Sequence, residues 1–352
     1  MHPLIEVVGS PLAAAYRIVT DARNALFDYG VLASHASSLP VLSVGNISVG
    51  GSGKTPFAGF VVEGLLELGR SPVILSRGYG GTAHGPREVL PTDDPMIVGD
   101  EPLLHSQKFY PKARTVIARK RVEGARFIEQ RELGDVIVLD DGFQHRYLAR
   151  NCDFVLVDVS REASRQAFRR GMLLPVGTMR ERVPSALVRA SALVAVSRGR
   201  DPEADSARAE FVEYLSRFEL PLLQFHLRPG ALRDVWSGAT VAPSEFSEEA
   251  CVATTAIAAP DGFFATLEEL GLTVRDKVAY RDHHHYSDRD WARLSQSGAP
   301  VLATVKDAVK LRPYVDAAGQ LFIVELLGSW LDPHSARSYS ALVRSALAEP
   351  RT

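Results

Sequence analysis

Short apolar runs alternate along the chain with segments whose apolar residues recur three and four apart, the pattern of buried strands separated by half-buried helices. Val41, Leu42 and Val44 form the first run. Phe57, Phe60, Val61, Leu65 and Leu68 follow at helical spacing, with Pro56 suited to the first turn and Gly69 to the stop. Val73 to Leu75, Thr115 to Ala118, Val136 to Leu139, Phe154 to Val157, Leu193 to Val196 and Leu222 to Phe225 read as further strands. Strands alternating with helices in this way predict an α/β fold with a doubly wound, mostly parallel sheet. Ser, Glu, Ala and Gly gather between Trp236 and Glu249, which marks a connection. A smaller unit is predicted after it, with strands at Cys251 to Ala253, Thr273 to Tyr280 and Val301 to Ala303 and helices at Gly262 to Leu270 and Asp290 to Leu294. The expected division is an N-terminal helix (1–35), a core (36–235), a connection (236–250) and a smaller C-terminal α/β domain (251–352).

From Leu12 to Leu32 the apolar residues Leu12, Tyr16, Val19, Leu26, Phe27, Tyr29 and Val31 are broken by Arg17, Asp21, Arg23 and Asp28, which suits an amphipathic helix. The longest uncharged run there, Val7 to Tyr16, is about half of the roughly 20 residues a membrane span needs, and it includes Pro11. Such a helix either lies in a membrane interface or packs on the protein's own body.

Composition narrows the class. At 352 residues and 46% hydrophobic, the chain can bury a sizeable core and is long enough for about two domains. A net charge of −2 argues against a general nucleic-acid binder. Cys152 and Cys251 lie far apart, without metal-like spacing and without a secretory signal, so reduced thiols in a cytosolic setting are expected.

The chemistry centres on the segment Ser48-Val49-Gly50-Gly51-Ser52-Gly53-Lys54-Thr55 between the first strand and the first core helix. Glycines there let successive backbone N–H groups turn onto an anion, Lys54 can reach the β- and γ-phosphates, and Thr55 can offer a hydroxyl to Mg²⁺. The architecture expected is therefore P-loop NTPase-like. Ser48 departs from the usual pattern, which has Gly at that position. Asp135 to His145 is the most informative partner: an apolar strand delivers Asp140 and Asp141 to the sheet's C-terminal edge, where a metal-organising acid is needed.

Other features admit two readings. Ser76 to Gly81 is either an ordinary glycine turn or a cleft lining. Asp100, ahead of Glu101-Pro102, is either a helix cap or a base facing a hydroxyl. Arg119-Lys120-Arg121, and likewise Arg161, Arg165, Arg169 and Arg170, form either solvated faces or phosphate contacts. His283-His284-His285 is either a surface run or holds a histidine that orients a general base; it lacks zinc-like partners.

Together these motifs, with Gly99 to Pro102, Leu139 to His145, Leu174 to Glu181, Asp282 to Tyr286 and Ala303 to Leu311, resemble the tetraacyldisaccharide 4′-kinase family. The resemblance implies ATP and Mg²⁺ as cofactors and a lipid A precursor, a tetraacylated glucosamine disaccharide 1-phosphate, as substrate, phosphorylated on its 4′-hydroxyl. It implies that Lys54 and Thr55 bind phosphates and metal, that Asp140, Asp141 and Glu181 complete the metal shell, and that Asp100 with His283 activates the hydroxyl. Arg121 would stabilise the transferring phosphate. The N-terminal helix would meet the cytoplasmic face of the bacterial inner membrane, with no nucleic acid and no obligate protein partner. Ser48 then becomes a family feature, while Val305 before Lys306-Asp307 and Thr255-Ala256-Ile257 depart from the family's pattern. A P-loop kinase of a soluble small molecule is the alternative. A nucleotide-driven switch is disfavoured, because Thr304 to Asp307 has the wrong order for a base-reading motif.

Overall fold

A computed structural model describes residues 3–199, 206–246, 250–257, 259–282, 284–315 and 319–348, with side chains from residue 11 onward. Its strands are β1 (Val41–Gly45), β2 (Pro72–Ser76), β3 (Arg87–Glu88), β4 (Arg114–Ile117), β5 (Val136–Asp140), β6 (Cys152–Asp158), β7 (Ala192–Arg198), β8 (Leu222–Asp234), β9 (Thr240–Val241), β10 (Cys251–Thr255), β11 (Val274–Ala279), β12 (Val301–Ala303) and β13 (Leu321–Trp330). All thirteen join one sheet in the order β11-β10-β12-β13-β8-β7-β6-β1-β5-β2-β4-β3, with β9 paired to β8. Pairing is parallel except for β3 with β4, β8 with β9 and β8 with β13. The predicted doubly wound α/β sheet is therefore present, and β1 sits at its switch point between β5 and β6.

Burial explains the apolar runs. Every residue of β1, β2, β5 and β6 is buried, as a sheet covered on both faces requires. The helix Lys54–Glu67 lays Phe57, Val61, Val62 and Leu65 on this sheet at no exposure. Phe57 and Phe225 meet edge to face at 4.9 Å, next to Phe154, Trp330 and Tyr339.

Packing crosses the predicted connection at 236–250. β8 is thirteen residues long and runs past the predicted Phe225 to Asp234, pairing there with β13 and so joining the two sheet halves. The final helix, Pro333–Ala348, packs on β1, β6 and β8, and its Tyr339, Val343 and Ala346 belong to the core around Phe57. The end of the chain thus returns to the first half.

The N-terminal helix spans Pro3–Asp28. Its inward contacts are largely polar: Tyr16 donates to the Arg180 carbonyl at 2.9 Å, Asn24 to Glu181 at 3.0 Å and Arg23 to the Gln144 carbonyl at 2.8 Å. Phe27 is buried, whereas Leu12, Ile18, Val19 and Leu26 are exposed. That inverts the usual arrangement of a helix on a water-soluble body. Among the described residues, no helix is long and apolar enough to cross a membrane.

Candidate active site

The phosphate loop leaves β1 and closes at Gly53, whose φ of 87° favours glycine and whose position heads the helix Lys54–Glu67. No side chain caps that helix, so its first N–H groups stay available to an anion. Gly45, at the end of β1, is required by a close approach: a Cβ there would stand 2.6 Å from the Cβ of Phe143 in the Asp140-to-His145 motif. Ser48 needs no glycine freedom, because its backbone bridges Met179 in strand fashion and Val49 N–H donates to the Thr178 carbonyl at 2.8 Å. The loop entrance is therefore tied to the segment carrying Arg180 and Glu181. Inside the loop Asn46 donates to the Ser52 hydroxyl at 2.8 Å.

A cleft of about 2360 Å³ opens over these strand ends, lined by Gly50 to Thr55, Asp100, Glu101, Arg121, Asp140, Asp141 and Glu181. Ser48 and Val49, just before the lining residues of the loop, are half-buried and exposed respectively. His283 lies outside the described residues, while its neighbour Asp282 lines the cleft.

Asp140, the last residue of β5, is buried, and neither carboxylate oxygen accepts a hydrogen bond. His105 Nε2 stands 3.5 Å from one of them. Burial works against the charge, but His105, Lys54 and Lys306 together outweigh it and hold the Asp140 pKa below the ordinary carboxylate value. Asp141 is held at a φ of 50°, a left-handed conformation uncommon outside glycine, and faces Lys54 at 3.6 Å and Arg180 at 3.3 Å. Thr55 donates to Glu101 at 3.3 Å.

These are hard oxygen donors beside a cradle for phosphates, with two orphaned oxygens on Asp140, and they fit Mg²⁺. No group of three or more His, Cys, Asp or Glu forms a ready-made metal cage among the described residues. Mg²⁺ typically draws on one or two carboxylates plus water and phosphate, so the fit does not need one. Glu181 is otherwise engaged. Its carboxylate takes Arg189 at 2.8 Å, Asn24 at 3.0 Å and Gln144 at 3.3 Å.

Asp100 opens the helix Asp100–Phe109, with Gly99 rather than Asp100 in the cap position. One Asp100 oxygen accepts from the Glu101 N–H at 2.9 Å and the other faces Lys310 at 3.6 Å. Arg121 is buried and donates to the Ala118 carbonyl at 2.8 Å. Burial lowers its pKa to about 10 against the pull of Asp140 and Asp141, which leaves it a cation at neutral pH.

Several cleft residues carry no motif in the sequence that marks their place in the cleft. Glu101 and His105 share one helix face at a spacing of four, and Lys306 and Lys310 do the same on the helix Val305–Leu311. That spacing was a readable signal, but only the fold brings the two faces together. Lys306 bonds Glu101; burial disfavours its charge, yet Glu101, Asp100 and Asp140 raise its pKa overall. His145, half-buried behind Arg121 and Arg77, is driven down to about 4 chiefly by burial and stays neutral at pH 7.

The family model for LpxK, tetraacyldisaccharide-1-P 4′-kinase, matches residues 5–339. The chain belongs to that family. This kinase is 37% identical to the tetraacyldisaccharide 4′-kinase of Aeromonas hydrophila over 306 residues, covering 87% of this chain and 83% of that one. It is 38% identical to the Anaeromyxobacter dehalogenans (strain 2CP-C) protein of the same name over 341 residues, covering 90% and 85%. Its fold matches a crystal structure of LpxK from Aquifex aeolicus in complex with ATP, with a TM-score of 0.76 at 27% identity over 96% and 98% of the two chains. The kinase is thus an ATP-dependent phosphotransferase on a P-loop NTPase-like α/β scaffold.

Proposed function

We propose that the cleft transfers the γ-phosphoryl group of ATP to the 4′-hydroxyl of a tetraacylated disaccharide 1-phosphate at a membrane surface. The observation that supports this reading most is the meeting in one cleft of an uncapped phosphate loop, Lys54, the Asp140–Asp141 edge and Asp100. Lys54 and the loop N–H groups hold the phosphates. Thr55, Glu101, Asp140 and Asp141 would hold Mg²⁺, which when bound neutralises charge on the phosphate oxygens. Glu181 is better read as the tether of the N-terminal helix, since its carboxylate accepts from Asn24 of that helix and is also met by Gln144 and Arg189 of the core.

As the 4′-oxygen bonds to the γ-phosphorus, the bond to the β,γ-bridging oxygen breaks, ADP leaves, and the hydroxyl proton passes to Asp100. His283 keeps its role as the partner of Asp100 on the resemblance alone. Arg121 supplies positive charge that is fixed in place and costs no reorganisation as the phosphoryl group moves. Exposed Leu12, Ile18, Val19 and Leu26 favour docking of the N-terminal helix in a membrane interface, on the cytoplasmic face where ATP is available.

Purified protein given ATP, Mg²⁺ and the lipid precursor should yield a product heavier by one phosphate on mass spectrometry. Phosphorylation of a soluble sugar in preference to the lipid would overturn the substrate assignment. Asp100→Asn should lower kcat by about 10² to 10⁴-fold with little change in the KM for ATP; full turnover at saturating substrate would remove Asp100 as the base.

A further inference from the structure

Lys306 stands where a cation is wanted. It lies in the first turn of the helix Val305–Leu311 that follows β12, in the second half of the sheet, yet its ammonium bonds Oε1 of Glu101 in the first half. The same oxygen accepts the hydroxyl of Thr55 at 3.3 Å. The backbone that carries Lys306 is firmly placed. Asp307, next in the chain, is fully buried and accepts from the Thr255 hydroxyl at 2.9 Å, the Ala256 N–H at 3.1 Å, the Tyr286 hydroxyl at 3.1 Å and the Thr304 hydroxyl at 2.6 Å. Thr304 also caps the helix. Lys310, one turn on, faces Asp100, so the helix sets two cations against the adjacent acids of the first half.

We propose that Lys306 is a place-holder for the divalent cation: its ammonium competes with the metal for Oε1 of Glu101 and must give up that oxygen when the Thr55–Glu101 site is filled. The inference rests on the metal reading of that site given above. Its physical basis is that an ammonium and a divalent cation on one carboxylate oxygen repel each other, so the two compete for Glu101. Because Lys306 belongs to the second half and Glu101 to the first, the competition links occupancy of the metal site to contact between the halves. Lys306 is a positioning residue in this scheme.

The test is Mn²⁺ binding to the full chain, followed by electron paramagnetic resonance with and without a non-hydrolysable ATP analogue. Without nucleotide, Lys306→Met should bind Mn²⁺ at least about tenfold more tightly than the unmutated protein, the order of coupling typical between two bound groups. Lys306→Arg keeps the charge and should restore weak binding. Unchanged or weaker Mn²⁺ affinity in folded Lys306→Met, verified by circular dichroism, would overturn the proposal. If Lys306→Met does not fold, the charge-retaining pair decides: Glu101→Gln must bind Mn²⁺ more weakly than the parent, and Lys306→Arg/Glu101→Gln must show no further change, whereas a further loss overturns the competition. The metal reading fails separately, if Glu101→Gln leaves Mn²⁺ binding with the nucleotide analogue unchanged.

Discussion

The two halves of the sheet bring charged groups to one cleft by different means. In the first half the acids and the phosphate loop stand at the ends of β1 and β5, fully buried strands whose backbone leaves little freedom in where Asp140 and Asp141 emerge. In the second half the cations Lys306 and Lys310 ride on a seven-residue helix, which packs through Ala308, Val309 and Leu311 and is pinned by a buried carboxylate, Asp307, with its four donors. The first arrangement is set by sheet pairing. The second adds to its apolar packing a set of four hydrogen bonds that all converge on one side chain.

This contrast can be broken at either end. The largest effect is expected at Lys54: Lys54→Ala removes the loop's cation to the phosphates and should lower kcat/KM by about 10³-fold or more in the lipid phosphorylation assay, with thermal stability nearly unchanged. Asp307→Ala should do the reverse. It strands buried hydroxyls and a backbone N–H and should cost about 3–5 kcal/mol in denaturant unfolding, with activity falling because Lys306 and Lys310 lose their anchor. Loss of activity without loss of stability would deny the anchor role. A milder change is expected from Ile18→Asp with Val19→Asp, which should reduce co-sedimentation with vesicles while sparing the fold, since both side chains are exposed.

The smallest effect concerns pH and His145. Its pKa falls from the ordinary histidine value to about 4 on folding, so between about pH 6.5 and pH 4 the unfolded chain binds more protons there than the folded one. Stability from this group is therefore present above pH 6.5 and lost as pH falls through that window. His145→Gln should flatten the dependence of unfolding free energy on pH between 4 and 6.5, and an unchanged slope would show that other groups set it.

Much of the first half was legible because local rules suffice there. A glycine-rich stretch between an apolar strand and a helical pattern has few other uses, and an apolar run ending in Asp140-Asp141 must deliver them to the sheet edge. Less was legible where distant segments meet. β13 and the helix Pro333–Ala348 were not anticipated, and the importance of Tyr339 rests on packing against Phe57, far away in sequence. Glu181 illustrates the same limit: its motif points to metal, but its carboxylate is met by Arg189, Asn24 and Gln144.

By itself the amino-acid sequence determined the alternation of strand and helix, the phosphate loop and the acids at strand ends, because backbone sterics and hydrophobic periodicity act over a few residues. Tertiary structure alone decided which charges face one another. Lys306 meets Glu101 across 205 positions of chain, and the N-terminal helix turns a polar face inward and leaves apolar residues outside. Electrostatic partners are chosen by distance in space, which a linear pattern does not carry.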